Sequence, residues 1–311
     1  MATWGQILNE IQTDYQQGDF SVFERVRNKY ISLLANFTGR DTIIYASKWT
    51  SNDAPPHLVS INDEDIHAFM EVLSGLQGTN LDLILHSGGG SAEATDAIVS
   101  YLRQKYNHVR VIIPQAAMSA GTMLACSADA IVMGKQSSIG PIDPQFILQT
   151  SVGIQVLPAY AILEQFKMAQ DDCAKNPKNL NSWVPMLSQY GPALLVRCKD
   201  QIDFGEELVK GWLSAYMFKE DKNKINKSDR ISKYLSDHSN FKTHSKHINI
   251  DNARKIGLNI EQLENNQEFQ DKVLSAFHAT MHLLSITNAA KIVANQKGNN
   301  FIKFVYPTQH K

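Results

Sequence analysis

The chain has 311 residues, of which 43% are hydrophobic, and 30 Lys and Arg against 31 Asp and Glu give a formal net charge of -1. This length supports a large hydrophobic core, and the near-neutral charge argues against a dedicated nucleic-acid binder and against intrinsic disorder. The three cysteines, Cys126, Cys173 and Cys198, are widely spaced, so neither a disulfide framework nor a cysteine-rich zinc site is expected.

The sequence carries no pattern of a membrane protein. Its first twenty residues are polar and acidic, without the basic and apolar regions of a signal peptide, and no run of about 18 apolar residues occurs. We therefore expect a soluble protein without a membrane span, and the unpaired cysteines favour a reduced, cytoplasmic setting.

Strand and helix patterns alternate over the first 145 residues, which is typical of βαβ units and a mainly parallel sheet. The predicted elements are a helical segment over 1–40, strands over 42–45, 81–85, 109–113 and 130–133, and helices over 62–76 and 91–105.

Beyond residue 145 the pattern becomes mainly helical. We predict a strand over 154–157, helices over 158–169, 183–216 and 250–256, an exposed polar loop over 219–246, and a helix pair over 263–295. Gly257 is expected to end the helix before it.

Three clusters of small residues follow predicted strands, and the first runs from His86 to Gly90. As a dinucleotide loop it would need a third glycine at position 93, where Glu93 would instead repel a pyrophosphate. We therefore expect its backbone N–H groups to stabilise an oxyanion.

The second cluster surrounds Ser119, which is flanked by Ala117, Ala120 and Gly121 where a strand leads into a helix. Its hydroxyl has room to act as a nucleophile beside the free N–H of Ala120 and the positive helix end. A serine that simply caps the helix fits the spacing equally well.

The third cluster places Asp143 between two prolines, in Pro-Ile-Asp-Pro, which restricts the backbone and aims one carboxylate. The alternative is a loop aspartate that caps local N–H groups.

Residues 81–145 resemble the serine dehydrogenase proteinase family, a ClpP-like and signal-peptide-peptidase-like branch of the ClpP/crotonase superfamily. The resemblance lies in three ordered motifs, LDLILHSGGGSAEATDAIVSYLR, PQAAMSAGTMLACSADAIVMG and SSIGPIDPQ, and extends to 38–45 and 243–258. It implies an α/β fold, a ClpP/crotonase-like spiral of ββα units with added N-terminal and C-terminal helices, and serine peptidase chemistry.

On this resemblance we divide the chain into an N-terminal helical segment over 1–40, a catalytic domain over 41–260 and a C-terminal helical extension over 261–311. The catalytic domain is expected to carry a helical insertion at about 183–216.

Carried over by position, the resemblance implies Ser119 as the nucleophile and the backbone N–H groups of Gly89, Gly90 and Ala120 as the oxyanion hole. Where the family has Thr-Pro-Gly-Gly, this chain has Ser-Gly-Gly-Gly, which loses the proline and keeps the donors.

The resemblance leaves the general base open. ClpP-type enzymes carry a histidine where this chain has Asp143, and the signal-peptide-peptidase type uses a lysine after the next strand, where the nearest is Lys167. Lys167 would have to face inward, because a lysine base needs burial to lower its pKa. In a second assignment His244 is the base and Asp143 orients it, with the two positions exchanged. The alternative for His244 is a surface histidine in a polar loop.

The remaining histidines carry weaker signals. His86 is a lesser candidate for the base and is expected to hold the glycine loop by hydrogen bonding. His278 and His282 share a helix face but lack a third ligand, so we expect neither a metal nor another cofactor.

The leading hypothesis is a serine peptidase that hydrolyses peptide bonds through an acyl-enzyme on Ser119. The alternatives are a catalytically inactive ClpP-like scaffold or binding protein that has lost its base, and acyl-CoA chemistry on the same superfold. The resemblance implies a homo-oligomer that acts on a peptide or protein substrate, with no nucleic-acid partner. No sequence feature identifies an unfoldase partner.

Overall fold

A computed structural model of the chain describes residues 3–51 and 53–306. The predictions for residues 1, 2, 52 and 307–311 lie outside the described residues. Within the described residues, no helix combines the length and the apolar composition that a membrane crossing requires.

The helices begin and end largely where capping residues stand. Thr3 caps the first helix in a capping box with Gln6, Ser91 caps the helix after the glycine loop, and Gly39 and Gly257 end their helices in the left-handed region. The helices are α1 (Trp4–Gln16), α2 (Val22–Thr38), α3 (Pro56–Val59), α4 (Asp65–Leu73), α5 (Ala92–Lys105), α6 (Ala120–Cys126), α7 (Ala159–Lys175), α8 (Leu180–Leu187), α9 (Leu194–Ala215), α10 (Lys224–Ser236), α11 (His238–Phe241), α12 (Ile250–Ile256) and α13 (Gln267–Ile286).

The strands are β1 (Asp41–Ser47), β2 (Asn80–His86), β3 (His108–Ile113), β4 (Ala116–Ala117), β5 (Ala130–Met133), β6 (Ser138–Ile139), β7 (Gln145–Thr150), β8 (Gly153–Pro158), β9 (Ile248–Asn249), β10 (Ile260–Gln262), β11 (Ala289–Asn295) and β12 (Asn300–Phe304). The larger sheet has the order β10-β5-β3-β2-β1-β11-β12, parallel from β10 to β1 and antiparallel at β11 and β12.

Helices cover both faces of the larger sheet, which explains why its central strands read as continuous apolar runs. Ile44 and Ile84 pack on one face against α1, α2 and α13. Ile43 and Leu83 pack on the other face against α4, α5, α6 and α9. Successive residues of a strand point to opposite faces, so two hydrophobic layers form from one set of strands.

A smaller sheet of order β4-β6-β9 stands beside the larger one. The chain passes from β3 into β4 and then into α6, and from β5 into β6, so consecutive strands contribute to the two sheets in turn. The predicted α/β class and the ββα pattern are confirmed.

The antiparallel hairpin of β7 and β8 and the helices that follow it form an arm with its own small core. Phe146, Leu157 and Ile162 pack there against Leu194 and Cys198 of α9. The sequence predicts a strand over 154–157, where the structure has β8. It predicts helices over 158–169 and 183–216, where the structure has α7, α8 and α9.

Two predictions of secondary structure are wrong. The polar loop predicted over 219–246 contains α10 and α11, because Ser228, Ile231, Ser232 and Leu235 form a buried stripe of small and apolar residues at helical spacing. Because the segment over 219–246 is mostly polar, its composition predicts a loop and does not reveal this stripe.

The helix pair predicted over 263–295 is one helix, α13, followed by strand β11, so the C-terminal extension is not wholly helical. Strand β11 lies between β1 and β12 and is buried along its whole length. It therefore lacks the alternation that marks a strand, and a short apolar run of this kind resembles a helix segment.

Candidate active site

The smaller sheet brings three predicted site residues to one place. Ser119 comes two residues after β4, and Asp143 comes four residues after the parallel strand β6. Strand β9 is antiparallel to β6, so His244, four residues before β9, lies at the same end of the sheet. Residues separated by more than a hundred positions in the sequence are thus joined through short strands.

Ser119 has a backbone conformation that few residues adopt. Its φ is 51° and its ψ is -119°, at the sharp turn from β4 into α6. Such a conformation costs about 1 to 3 kcal/mol in a non-glycine residue and occurs preferentially at functional sites. The side chain makes no capping hydrogen bond, which removes the alternative of a simple helix cap.

The glycine loop approaches Ser119 so closely that side chains are excluded. A Cβ built on Gly89, whose φ is 105°, would lie 2.7 Å from the Cβ of Ser119. A Cβ built on Gly90 would lie 2.2 Å from the backbone oxygen of Ile61. Glycine is therefore required at both positions for steric reasons.

The predicted oxyanion donors differ in their hydrogen bonding. The Gly89 N–H donates to the Ser87 hydroxyl at 3.1 Å. Gly90 forms a bridge with Ile61, in which the Ile61 N–H donates to Gly89 O and the Ser91 N–H donates to Ile61 O. The bridge does not use the N–H of Gly90 itself, which points away from it. Ala120 is the first residue of α6, where a backbone N–H has no acceptor within the helix. Among the described residues, the N–H groups of Gly90 and Ala120 have no hydrogen bond of this kind, which leaves them as the candidate donors.

The Asp143 carboxylate is 1% exposed and accepts hydrogen bonds from three side chains. His244 Nδ1 lies 2.8 Å from its Oδ1, while His238 Nδ1 and Gln145 Nε2 lie 3.0 Å and 3.1 Å from its Oδ2. These contacts balance a buried charge that would otherwise be costly.

The Asp143 contact fixes which ring nitrogen of His244 faces the carboxylate. A carboxylate only accepts hydrogen bonds, so Nδ1 of His244 is the donor in this contact, and Nε2 is the ring nitrogen that Asp143 does not bond. His244 and Ser119 line the same cavity. A histidine that contacts a buried carboxylate and a serine on the same cavity form an arrangement that nucleophilic catalysis can use.

The cavity has a volume of about 430 Å³. Its apolar wall combines Met123 with Ile142 and with Ile147 and Val156 from the β7–β8 hairpin. Its polar rim includes Glu93, whose carboxylate accepts hydrogen bonds from Ser91 at 2.8 Å and from Gln201 at 3.2 Å.

Lys167 does not belong to this cluster. It is exposed on α7 and does not line the cavity, so it lacks the inward orientation that a lysine base needs. Lysine side chains prefer water, and α7 presents this position to solvent.

His86 is buried between the rings of Trp49 and Phe277, at centroid distances of 5.7 Å and 5.3 Å. Burial lowers its pKa to about 4, against a smaller opposing effect from the Ala116 backbone. His86 is therefore neutral at physiological pH. Neither of its ring nitrogens forms a hydrogen bond among the described residues, so the prediction that it holds the glycine loop by hydrogen bonding is wrong, and the ring is instead held by aromatic packing.

The described residues contain no cluster of three or more His, Cys, Asp or Glu side chains suited to a metal ion. The ring of His282, on α13, instead packs against Trp4 and lies 3.0 Å from its carbonyl oxygen through Nε2. Burial of this ring lowers its pKa, with the Trp4 carbonyl opposing the change.

Sequence reasoning missed His238. It occupies the first position of α11, in a segment predicted as an exposed loop, and its ring stacks on Tyr160 at 5.9 Å. The one available signal was a second histidine six residues before His244.

Comparisons with known proteins agree with the motifs. Residues 58–178 match the family described as ClpP-like SDH-type serine proteinase, which confirms the resemblance predicted from the sequence. The matched segment contains the glycine loop, Ser119 and Asp143, whereas His238 and His244 lie beyond it.

Two uncharacterized proteins of Methanocaldococcus jannaschii are similar to parts of the chain. MJ1495 is 41% identical over 86 residues, which is 28% of this chain and 27% of that protein. MJ0137 is 27% identical over 181 residues, which is 58% of this chain and 53% of that protein. The chain thus spans only about a quarter to a half of the length of these relatives.

Among solved structures, the chain is similar to two mutants of the 1510-N membrane-bound stomatin-specific protease. The first has 17% identity and a TM-score of 0.39, covering 68% of this chain and 79% of that one. The second, in complex with a substrate peptide, has 19% identity and a TM-score of 0.27, covering 65% and 84%.

Proposed function

We propose that this chain is a serine peptidase with Ser119 as the nucleophile, His244 as the general base and Asp143 as the residue that orients it. The observation that carries this proposal is the 2.8 Å hydrogen bond between Asp143 and His244 at the cavity that Ser119 also lines. The family match supports a peptidase and includes two of these three residues.

The acylation step follows from these positions. Nε2 of His244 takes the proton of the Ser119 hydroxyl while the Ser119 oxygen attacks the scissile carbonyl carbon. The buried Asp143 carboxylate stabilises the imidazolium that forms, and His244 then returns the proton to the leaving amine. A water molecule, activated by the same imidazole, hydrolyses the ester and regenerates the serine.

The negative charge on the tetrahedral intermediate falls near the N–H groups of Gly90 and Ala120. Both donors are fixed before the reaction, one by the bridge to Ile61 and the other by the helix. Loss of one donor of this kind costs about 3 to 4 kcal/mol of transition-state stabilisation in serine peptidases.

We further propose that the substrate carries an apolar side chain next to the scissile bond. The apolar wall of Met123, Ile142, Ile147 and Val156 supports this preference, because burial of an apolar side chain gains about 1.5 to 3 kcal/mol. Fluorogenic peptides with leucine at that position should be cleaved at least tenfold faster than those with aspartate.

A fluorophosphonate probe tests the nucleophile directly. Mapping of the labelled protein should place the adduct on Ser119, and Ser119→Ala should lose both the label and about 10⁴-fold or more in peptide turnover. Ser60→Ala, which changes another serine of the same cavity, is the matched control and should keep both. An adduct on another serine, or unchanged turnover by Ser119→Ala, would contradict the proposal.

Self-association is a separate proposal. The β7–β8 hairpin exposes Val152 to 80% and Ile154 to 67%, outside the cavity lining, and we propose that a second copy of the chain covers these two side chains. Sedimentation velocity should detect an oligomer, and Ile154→Lys should shift it toward the monomer. A monomeric wild type would contradict this proposal but would not bear on the proposal that the chain is a peptidase.

A further inference from the structure

A second cavity lies on the opposite face of the larger sheet, between α2, the end of α13 and β12. Its volume is about 530 Å³, within the range of sites for small organic ligands. Its lining is mostly apolar and includes three aromatic side chains near the N-terminus, which are Tyr15 of α1, Phe20 of the turn after α1, and Phe23 of α2. The proposed active site does not share any of these residues.

The cavity contains a buried charge that its surroundings do not balance. Arg27 is 1% exposed, and its Nε and Nη2 atoms both donate to the single Asn28 Oδ1, at 3.3 Å and 3.1 Å. Among the described residues no acceptor bonds its Nη1 atom. Burial lowers the pKa of Arg27 to about 10, against a smaller opposing effect of Glu24, and at that pKa the guanidinium still carries its charge at neutral pH.

Glu24 does not compensate this charge fully. Its Oε1 lies 3.9 Å from Arg27 Nη2, beyond hydrogen-bond distance, and its side chain is 54% exposed. The same oxygen accepts a hydrogen bond from Asn300 Nδ2 at 3.1 Å, which holds the carboxylate toward β12. A buried cation without a close anion is costly unless a ligand supplies one.

The shape of the cavity complements this charge. Tyr15 lies between Phe20 and Phe23, at centroid distances of 5.4 Å and 5.2 Å, and forms an aromatic wall. Ile302 and Phe304 line the β12 side, and Phe304 is 39% exposed at the opening. The cavity would therefore fit a ligand that has an apolar body against the aromatic wall and a single anionic group beside Arg27.

We propose that this cavity binds a small organic carboxylate with an apolar body, whose carboxylate accepts hydrogen bonds from Arg27 and whose body packs on the aromatic wall. A guanidinium fork matches the two oxygens of a carboxylate. The proposal does not depend on the peptidase activity, and Ser119→Ala should bind the ligand as the wild type does.

Calorimetric titration of the full chain with sodium octanoate tests this site. We expect saturable binding with a Kd below about 1 mM, at least tenfold weaker binding of octan-1-ol, which lacks the charge, and no detectable binding of acetate, which lacks the body. Arg27→Met should weaken octanoate binding at least tenfold. Arg25→Met, which removes a half-exposed arginine of the same helix, is the matched control and should bind octanoate normally.

A second variant keeps the test decisive if Arg27→Met fails to fold. Phe304→Glu places a negative charge at the opening while Arg27 stays in place, and it should also weaken octanoate binding at least tenfold. Absence of saturable octanoate binding, equal affinity for octan-1-ol, or wild-type affinity in either variant would overturn the proposal.

Discussion

Nδ1 of His244 lies 2.8 Å from Oδ1 of Asp143, a carboxylate with 1% exposure at the end of the smaller sheet. In the proposed assignment the chain order is nucleophile, acid and base, at Ser119, Asp143 and His244, whereas the ClpP-type enzymes that the chain resembles carry the histidine at the position of Asp143. Triads are defined by geometry and not by sequence order, so the exchanged positions are compatible with the same chemistry.

Asp143→Asn should lower kcat for peptide hydrolysis by about 10⁴-fold with little change in the fold. The amide keeps the shape of the side chain but offers a donor to His244, which favours the wrong tautomer. Steady-state kinetics on a fluorogenic peptide measure the effect, and Asp251→Asn, at an exposed position of α12, serves as the control. Wild-type kcat in Asp143→Asn would exclude Asp143 from the mechanism.

His238 is expected to act as a positioning residue through Asp143. It holds Oδ2 at 3.0 Å, so its loss lets the carboxylate rotate away from the orientation that His244 needs. His238→Leu should lower kcat by about 10- to 100-fold with an unchanged KM, since one hydrogen bond to a charged group is worth about 1.5 to 3 kcal/mol.

The conservative variant separates positioning from packing. In His238→Asn the amide nitrogen can take the place of Nδ1, so kcat should recover toward that of the wild type although the stacking on Tyr160 is lost. If His238→Asn and His238→Leu are equally impaired, or neither is impaired, the hydrogen bond to Asp143 has no role in catalysis.

Gly89→Ala should reduce kcat by at least about 100-fold, the effect of disturbing an oxyanion hole. The added methyl group would lie 2.7 Å from the Cβ of Ser119 and 3.0 Å from the Ala120 nitrogen, so the loop must move away from both. Gly191→Ala is the matched control because nothing lies within 4 Å of its added Cβ. Steady-state kinetics measure kcat, and circular dichroism checks that both variants are folded. A folded Gly89→Ala variant with the kcat of the wild type would contradict the prediction.

The parts of the site that sequence could predict are those encoded in short segments. The glycine loop, Ser119 and Asp143 each follow a strand within a few residues, so local patterns expose them. We predicted the pairing of His244 with Asp143 by exchanging the histidine and acid positions of ClpP-type enzymes. The structure has a hydrogen bond between these two side chains. Their catalytic roles stay predictions.

The parts that sequence could not predict depend on tertiary packing. His238 follows α10, which packs on α9, and the buried stripe of α10 mixes Ile231 and Leu235 with serines, so its hydrophobic signal is weak. Strand β11 is buried on both faces and even holds Lys291, whose charge is paired with Asp65 at 2.6 Å. Neither feature has a local signature that distinguishes strand from helix or helix from loop.

The stability of the fold should fall on mild acidification because of His86. Burial lowers the pKa of this ring to about 4, whereas in the unfolded chain it is about 6.5, so the unfolded state binds a proton first as the pH falls. The free energy of unfolding is then fully retained above about pH 7 and should drop by about 3 kcal/mol as the pH falls to about 4.

Urea unfolding at several pH values in this range measures the slope. His86→Leu removes the titrating ring and should flatten the dependence, whatever its absolute stability, because leucine binds no proton in either state. His67→Leu, which removes a histidine at an exposed position of α4, is the matched control and should keep the wild-type slope. An unchanged slope in His86→Leu would mean that another group is responsible for the acid sensitivity.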